Sequence, residues 1–228
     1  MNNVQINSFI AMKNLNVDTW TGTAGISATS INRVNINHSF SGTVNATRVK
    51  KFVAGSIVGG NWTVSGNVHQ LEAGSVSNLN FTAVTVGNLR VSDSITSSTL
   101  RSSTNIDSIK AGGLTSSNVY AGTDTLTTGI PASTGDFSAQ GLIRNVNVNH
   151  FANSNIGAQR TDTLSLGGVQ TSNNGTPFGV GTQRIKNLSL SVGKKRVHLR
   201  NVTSTAQVTN AFSKNNITPQ DLRINIVA

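Results

Sequence analysis

Histidines first suggest chemistry in this sequence, because two of its four lie in nearly identical phrases. Residues 34–40 read VNINHSF and residues 146–151 read VNVNHF, so His38 and His150 occupy equivalent points. Two imidazoles can share a metal ion only if a nitrogen of each comes within ~2.0–2.1 Å of it. The phrases therefore mark either a paired site or one structural unit used twice.

Basic residues offer a second kind of site. Eighteen Lys and Arg residues against eight Asp and Glu residues give a net charge of +10. This balance favours polyanions, including nucleic acid, acidic glycans and anionic lipid. One segment is especially basic and contains Arg184, Lys186, Lys194, Lys195, Arg196 and Arg200. This segment either binds an acidic polymer or forms a solvated strand edge that resists aggregation.

The composition indicates a β-rich protein. Charged residues make up 11% of the chain and hydrophobic residues 36%, which fits neither disorder nor a helical bundle. The chain has no cysteine, which excludes disulfides and thiolate metal sites. It has neither a recognisable signal peptide nor an apolar stretch of the roughly 18 residues that a membrane span needs.

A repeat of 17–20 residues runs through most of the chain. Its recurrent feature is an apolar residue, the anchor, which is usually followed two residues later by another apolar residue and then by a turn-forming residue. The anchors are Leu15, Val34, Phe52, Leu71, Leu89, Ile109, Leu126, Val146 and Leu164, with Leu188 after a longer step. Alternation around the anchor is the period of a strand with one buried face.

Each repeat therefore predicts one coil of short strands and corners, and stacking the coils buries their apolar faces. The sequence predicts an all-β parallel β-solenoid, or β-helix, over residues 1–190, with about ten coils at ~4.8 Å each. The drifting repeat length favours a right-handed coil. A sheet of hairpins is the rival fold, but the Asn-Gly and Asp-Gly turns that it needs are scarce.

Three segments depart from the repeat. The long step before Leu188 predicts an insertion loop at residues 170–183, and residues 123–136 form the least regular coil. Beyond residue 190 the repeat fades. Residues 191–228 are therefore predicted to form a basic segment with a capping strand, because an uncapped solenoid exposes strand edges.

The coil lattice tests the chemical candidates. His38 and His150 lie at one corner six coils apart, which separates them by roughly 29 Å and excludes a shared metal ion. Asp107 and Asp124 each lie two residues before an anchor in consecutive coils, so they are predicted to stack ~5 Å apart. That separation suits a retaining carboxylate pair or a shared cation, although two separate solvated acids are the alternative. No catalytic site is predicted beyond these two candidates.

Glycine-rich phrases recur in the coils, namely FVAGSIVGGNWTVSGNV (52–68), LEAGSV (71–76), IKAGGL (109–114) and LSLGGVQTSNNGTPFGVG (164–181). They resemble the C-terminal parts of large bacterial β-strand-repeat surface proteins, over most of residues 31–190. The resemblance implies an exported parallel β-helix, extracellular or on the cell surface, that belongs to a longer polypeptide. It supplies no catalytic motif.

The sequence thus predicts a non-catalytic structural or adhesive β-solenoid module. Its expected partners are other copies, stacked end to end into filaments, or surface polysaccharide, and no cofactor or metal site is expected. Two alternatives stay open. One is a carbohydrate-binding or carbohydrate-cleaving β-helix, and the other is a polyanion binder that uses residues 184–200.

Overall fold

Alternating apolar and polar residues form long strands whose apolar side chains point inward and whose polar side chains point outward. A computed structural model describes residues 2–228, with 66% of the residues in strands and 6% in helices. The strands stack in parallel as the coils of a β-solenoid, which confirms the predicted fold class. The right-handed sense of the coil stays a prediction.

Residues 2–228 contain fifteen strands, one α-helix and a short 3₁₀ turn at Thr134–Asp136. The strands are β1 Ile6–Val17, β2 Ile26–Phe40, β3 Val44–Val58, β4 Asn61–Ser77, β5 Asn80–Thr96, β6 Thr99–Ser102, β7 Asn105–Thr115, β8 Asn118–Ala121, β9 Leu142–Ala152, β10 Asn155–Ala158, β11 Arg160–Leu166, β12 Phe178–Thr182, β13 Arg184–Val192, β14 Lys195–Val202 and β15 Leu222–Ile226. The helix, α1, spans Thr205–Lys214.

Each coil has three faces, named here A, B and C in chain order. Face A buries pairs such as Trp62 and Val64, and continues through β6, β8, β10, β12 and β15. Face B buries the anchors and continues through β7, β9, β11 and β13. Face C is the shortest and buries one large residue per coil, such as Phe40 or Phe151.

Face B confirms the anchor pattern apart from one residue. Its parallel ladders join the Cα partners Leu15, Val34, Phe52, Leu71, Leu89, Ile109, Val146, Leu164 and Leu188 in that order. Every anchor from Val34 onward in this series is buried. The local period of the sequence therefore sets the register of the whole face.

The prediction that Leu126 is an anchor is wrong. This leucine is 85% exposed, and Ile109 pairs directly with Val146 because residues 122–141 leave the stack. The turn-rich sequence of this segment lacks the apolar partner two residues after the anchor that would hold a strand on the core. The solenoid consequently has about 8 turns and not ten.

Residues 122–141, here called the covering loop, fold over the outer side of face A. The Arg101 guanidinium lies 4.4 Å from the Tyr120 ring centroid and donates hydrogen bonds to the carbonyls of Asp124 and Thr127. The Tyr120 hydroxyl donates to the Gly129 carbonyl at 2.8 Å. The loop buries this tyrosine completely, and that burial raises the pKa of Tyr120 to about 12.

The predicted insertion at residues 170–183 is only partly a loop. Residues 178–182 form β12, which pairs in parallel with β10 and β15 on face A. Only the part before β12 departs from the stack. The Asp221 carboxylate tethers this part, because it accepts hydrogen bonds from the backbone N–H groups of Asn173 and Gly175.

The C-terminal segment closes one end of the solenoid. After a turn at Gly193, β14 runs back antiparallel to β13 and extends face B, while α1 packs against β14 and β15. The helix buries Val208, Ala211 and Phe212. The predicted final strand is confirmed as β15, although the antiparallel return and the helix were not predicted.

A ladder of buried serines fixes the corner between faces C and A. The hydroxyls of Ser98, Ser117 and Ser154 each accept a hydrogen bond from the backbone N–H of the preceding coil, at 3.0–3.1 Å. Each hydroxyl donates to the carbonyl two residues earlier in its own coil. These contacts satisfy buried backbone groups where the chain turns and the strand ladder is interrupted.

Replacing Leu126 and Leu164 by alanine tests whether residues 122–141 lie outside the core. We expect Leu126→Ala to change the free energy of unfolding by less than about 0.5 kcal/mol, because the side chain is exposed. Leu164→Ala should cost about 2–5 kcal/mol, because it leaves a cavity in the core. Urea unfolding measures both values, and comparable losses would place Leu126 in the stack.

Candidate polyanion-binding site

The outward side of face B carries most of the positive charge of the protein. Outward positions lie one or two residues before each anchor, one residue after it, and at the start of the face. These positions hold thirteen of the eighteen Lys and Arg residues: Lys13, Arg33, Arg48, Lys50, Lys51, Arg90, Lys110, Arg144, Arg160, Arg184, Lys186, Arg196 and Arg200. Twelve are exposed and Lys51 is half-buried.

The other faces are largely neutral. Face A presents asparagine and threonine outward in its early coils and is covered by residues 122–141 in its later coils, while face C presents mainly serine and threonine. The remaining cations are Arg101 beneath the covering loop, Lys194 and Lys195 near the β13–β14 turn, Lys214 on α1 and Arg223 on β15. The basic charge is therefore concentrated on one side of the rod.

Three carboxylates on face B pair with three of its cations. Lys51 lies 2.9 Å from Glu72, Arg144 lies 3.1 Å from Asp107, and Arg160 lies 3.6 Å from Asp162. Within residues 2–228 the other ten cations of the face have no ion-pair partner. Face B therefore keeps a large excess of positive charge that is available to an external anion.

Glu72 is held as a carboxylate by its neighbours. The hydrogen bond from Lys51 is the main cause of a lowered Glu72 pKa, and Gln70 donates a further hydrogen bond to the same carboxylate. Both members of the Lys51–Glu72 pair have side chains that are only 29% exposed. This pair is part of the wall of face B and is less open to a ligand than the exposed cations around it.

Some like charges on face B are stacked directly on each other. The Cα partners in adjacent coils include Arg33 with Lys51, Arg90 with Lys110, and Arg160 with Arg184. We call these three pairs the basic doublets. Adjacent strands lie about 4.8 Å apart, and like charges placed opposite each other across strands are destabilising. Glu72 and Asp162 offset this repulsion at Lys51 and Arg160, so the cost in stability is expected mainly at the middle doublet. A role in binding would explain why the doublets are present.

A concave part of face B lies over its early coils. The concavity has a volume of about 1010 Å³, and Lys13, Arg33, Arg48, Lys50 and Lys51 contribute to its walls. Amide side chains alternate with these cations, and Asn14, Asn32 and Asn88 line the same hollow. Cations and amides together supply hydrogen-bond donors for charged groups and for hydroxyls.

The structure divides the basic segment predicted from the sequence. Arg184 and Lys186 lie on β13, and Arg196 and Arg200 lie beside Ser191 and Asn187 on β14, so these four belong to face B. Lys194 lies in the turn that precedes β14. The Lys195 ammonium donates a hydrogen bond to the Asn216 carbonyl after α1, which ties it to the cap.

The nine other basic residues of face B lie between residues 13 and 110 or at Arg144 and Arg160, and they were not predicted from the sequence as part of a site. They are scattered along the chain, so no local cluster of charge reveals them. Their offsets from the anchors would have identified them, since they lie four, two or one residue before an anchor or one residue after it, and these positions share one outward side. The complete list is Lys13, Arg33, Arg48, Lys50, Lys51, Arg90 and Lys110, with Arg144 and Arg160 in the later coils.

The predicted stacking of Asp107 on Asp124 is wrong. Because residues 122–141 leave the solenoid, the coil that follows Asp107 is β9, and Arg144 takes the place expected for Asp124. Asp124 instead accepts a hydrogen bond from the backbone N–H of Leu126 in the covering loop. The arrangement expected for a retaining carboxylate pair or a shared cation is therefore not formed.

The histidines are separated, as expected, but by one coil fewer than predicted. Five coil steps lie between the anchors Val34 and Val146, so His38 and His150 are about 24 Å apart at ~4.8 Å per coil. His38 Nδ1 lies 3.0 Å from the Asp18 carboxylate at an exposed corner. The repeated phrase therefore marks a repeated corner of the solenoid.

No protein-family model matches the chain, and no curated protein or solved structure matches it. The resemblance to bacterial surface proteins consequently stays a prediction. Among the described residues, no helix is both long and apolar enough to cross a membrane. The geometry of face B is the basis for assigning a function.

Because Lys110 faces a like charge and Lys51 faces a carboxylate, we expect their replacement to change the free energy of unfolding in opposite directions. Lys110→Gln should raise the free energy of unfolding by roughly 0.2–1 kcal/mol at low salt, because it relieves repulsion with Arg90. Lys51→Gln should lower it, because Glu72 loses its partner. Thermal unfolding at low salt and at 1 M salt measures both, and the Lys110 effect should shrink as salt screens the charges. If Lys110→Gln lowers the free energy of unfolding, repulsion between Lys110 and Arg90 does not destabilise the protein.

Proposed function

We propose that the protein is a non-catalytic β-solenoid module that binds an extended polyanion along face B. The observation that carries the proposal is the collection of thirteen cations on one side of the rod, ten of them without an ion-pair partner among residues 2–228. The proposal widens the basic site predicted at residues 184–200 to nearly the whole length of the solenoid.

Charge on one side of a rod has two physical consequences. The summed field attracts an acidic polymer before contact and raises the association rate, an effect that falls with ionic strength. Once bound, the polymer meets many cations in sequence, so modest individual contacts add along its length. Binding through exposed charges should accordingly weaken steeply between low and physiological salt.

The parallel ladder supports binding because it fixes the backbone beneath the cations. Residues of face B lie on strands paired on both sides through most of the stack, so a ligand does not need to order a loop. Only the side chains lose freedom on binding, at roughly 0.5–1.5 kcal/mol for each long side chain that is immobilised. A preorganised, repetitive surface suits a ligand that is itself repetitive.

Binding to an acidic polymer is compatible with the structural or adhesive role predicted from the sequence, since a rigid rod with one adhesive side can hold a polymer without acting on it. The carbohydrate-cleaving alternative has lost its candidate carboxylate pair, because Arg144 and not Asp124 stacks on Asp107. The exported location and the filament state stay predictions.

Affinity for heparin, used as a model acidic polymer, tests the proposal. Lys110→Gln with Lys186→Gln removes two unpaired cations from face B, and we expect affinity to fall about tenfold, since two lost charge contacts are together worth roughly 1–2 kcal/mol. The matched control, Lys194→Gln with Lys214→Gln, removes the same charge from the turn and from α1. It should change affinity less than twofold.

Fluorescence anisotropy with labelled heparin at several salt concentrations measures both variants, and circular dichroism verifies that each is folded. Equal losses in the two double variants would show that net charge and not face B governs binding. No binding of the unmodified protein to heparin, to a polyuronate or to duplex DNA at low salt would rule out the proposed function.

A further inference from the structure

The three basic doublets recur at a constant interval along the solenoid. Arg90 and Lys110 lie three coils beyond Arg33 and Lys51, and Arg160 and Arg184 lie three coils further. At ~4.8 Å per coil, successive doublets are about 14 Å apart along the axis. They also differ in position across the face, because they lie one residue before, one residue after and four residues before the anchors. At ~3.3 Å per residue, the separation is therefore roughly 16 Å from the first doublet to the middle one and roughly 22 Å from the middle doublet to the last. Face B thus presents its charge as separated groups along the axis.

A carboxylate lies beside each of the doublets. Glu72 pairs with Lys51 of the first doublet and is the Cα partner of Arg90 in the middle one. Asp107 lies in the same coil as Lys110 and pairs with Arg144 in the next coil. Asp162 lies beside Arg160 within the last doublet. A duplex nucleic acid, with one charge per ≈ 1.7 Å of its axis, would bring phosphates against these acids. Each doublet keeps at least one cation without an ion-pair partner among the described residues, so a polymer with more widely spaced charges can contact these cations and avoid the acids. The unpaired cations are Arg33, Arg90, Lys110 and Arg184.

The neutral side chains between the cations also favour a sugar polymer. Asn14, Asn32, Asn88, Asn147 and Asn187 point outward on face B, and no side-chain hydrogen bond engages their amides within residues 2–228. A primary amide both donates and accepts hydrogen bonds, as a sugar hydroxyl does. These asparagines are therefore available to hydroxyls that lie between the anionic groups of a ligand.

Single-stranded nucleic acid is a poor fit for the same surface. Proteins that bind it combine basic grooves with aromatic side chains on which bases stack, and each stacked base strengthens binding. Among the described residues, the outward positions of face B include no Phe, Tyr or Trp. Most large aromatic residues, such as Trp62 and Phe52, are instead buried in the core, and the exposed Phe9 lies at the corner between faces A and B.

We infer that the ligand of face B is a linear polysaccharide with spaced carboxylate or sulfate groups, and that full affinity requires one chain to reach all three basic doublets. This inference rests on the proposed function and specifies its ligand. The chain runs along face B from one doublet to the next, with anionic groups at their unpaired cations and hydroxyls near the asparagines between them. Each doublet that a chain reaches adds to its affinity, because later contacts form within a complex that already exists.

A series of size-fractionated heparin oligosaccharides tests the length requirement at fixed salt. Affinity per chain should rise about tenfold or more when the chain becomes long enough to join the first two doublets, roughly 16 Å, and again when it joins all three, roughly 38 Å along its path. Affinity should then rise only slowly with length. A parallel series of polygalacturonate oligomers, which carry carboxylates only, distinguishes carboxylate from sulfate recognition.

Two double variants show which doublet produces each rise in affinity. Arg90→Gln with Lys110→Gln removes the middle doublet and should abolish the first rise while the longest chains still join the outer doublets. Arg160→Gln with Arg184→Gln should keep the first rise and abolish the second. Lys194→Gln with Lys214→Gln serves as the control and should leave both rises in place.

Different failures have different meanings. If long heparin binds but affinity per chain is independent of length, or if both doublet variants flatten the curve equally, the three-doublet inference is wrong while polyanion binding stands. If duplex DNA of matched length binds more tightly than heparin and polygalacturonate at the same salt, the ligand is not a polysaccharide. If no polyanion binds, the proposed function fails and this inference fails with it.

Discussion

The structure depends on the in-register parallel stacking of coils. Strand ladders join each coil to the next from Leu15 through Leu188, so a side chain has its equivalents about 4.8 Å above and below it. Inward positions then form columns of apolar residues, and aromatic rings such as Phe52 and Trp62 pack with centroids 4.5 Å apart. Where the strands stop at corners, the Ser98, Ser117 and Ser154 hydroxyls continue the coil-to-coil hydrogen bonding.

The same stacking determines how much stability the protein loses to charge repulsion on its outer surface, and it also produces the proposed binding surface. A register that aligns apolar residues inside also aligns charges outside, so basic residues at a constant offset from the anchors must lie close to one another. Only three carboxylates offset this repulsion on face B, while neutral serine and threonine cover face C. Stability lost to like charges is a common cost of a binding surface. The fold thus gathers basic residues from several fixed offsets onto one side of the solenoid.

The solenoid could be predicted because its period is local, repeated in every coil and tied to burial. The exclusion of Leu126 could not, since whether one irregular coil stays in the stack depends on whether the flanking coils, with Ile109 and Val146, can pair without it. That omission also removed the Asp107–Asp124 pair and shortened the distance between the histidines. The antiparallel return of β14, which brings Arg196 and Arg200 to face B, depends on tertiary pairing with β13 that no repeat encodes.

Lysine acetylation followed by mass spectrometry, with and without bound heparin, tests the central claim most directly, because one experiment compares face B with the C-terminal cap. The account predicts that heparin slows acetylation of Lys50, Lys110 and Lys186 on face B and leaves Lys214 on α1 unchanged. Equal protection of all these lysines, or protection confined to Lys214, would contradict binding along face B.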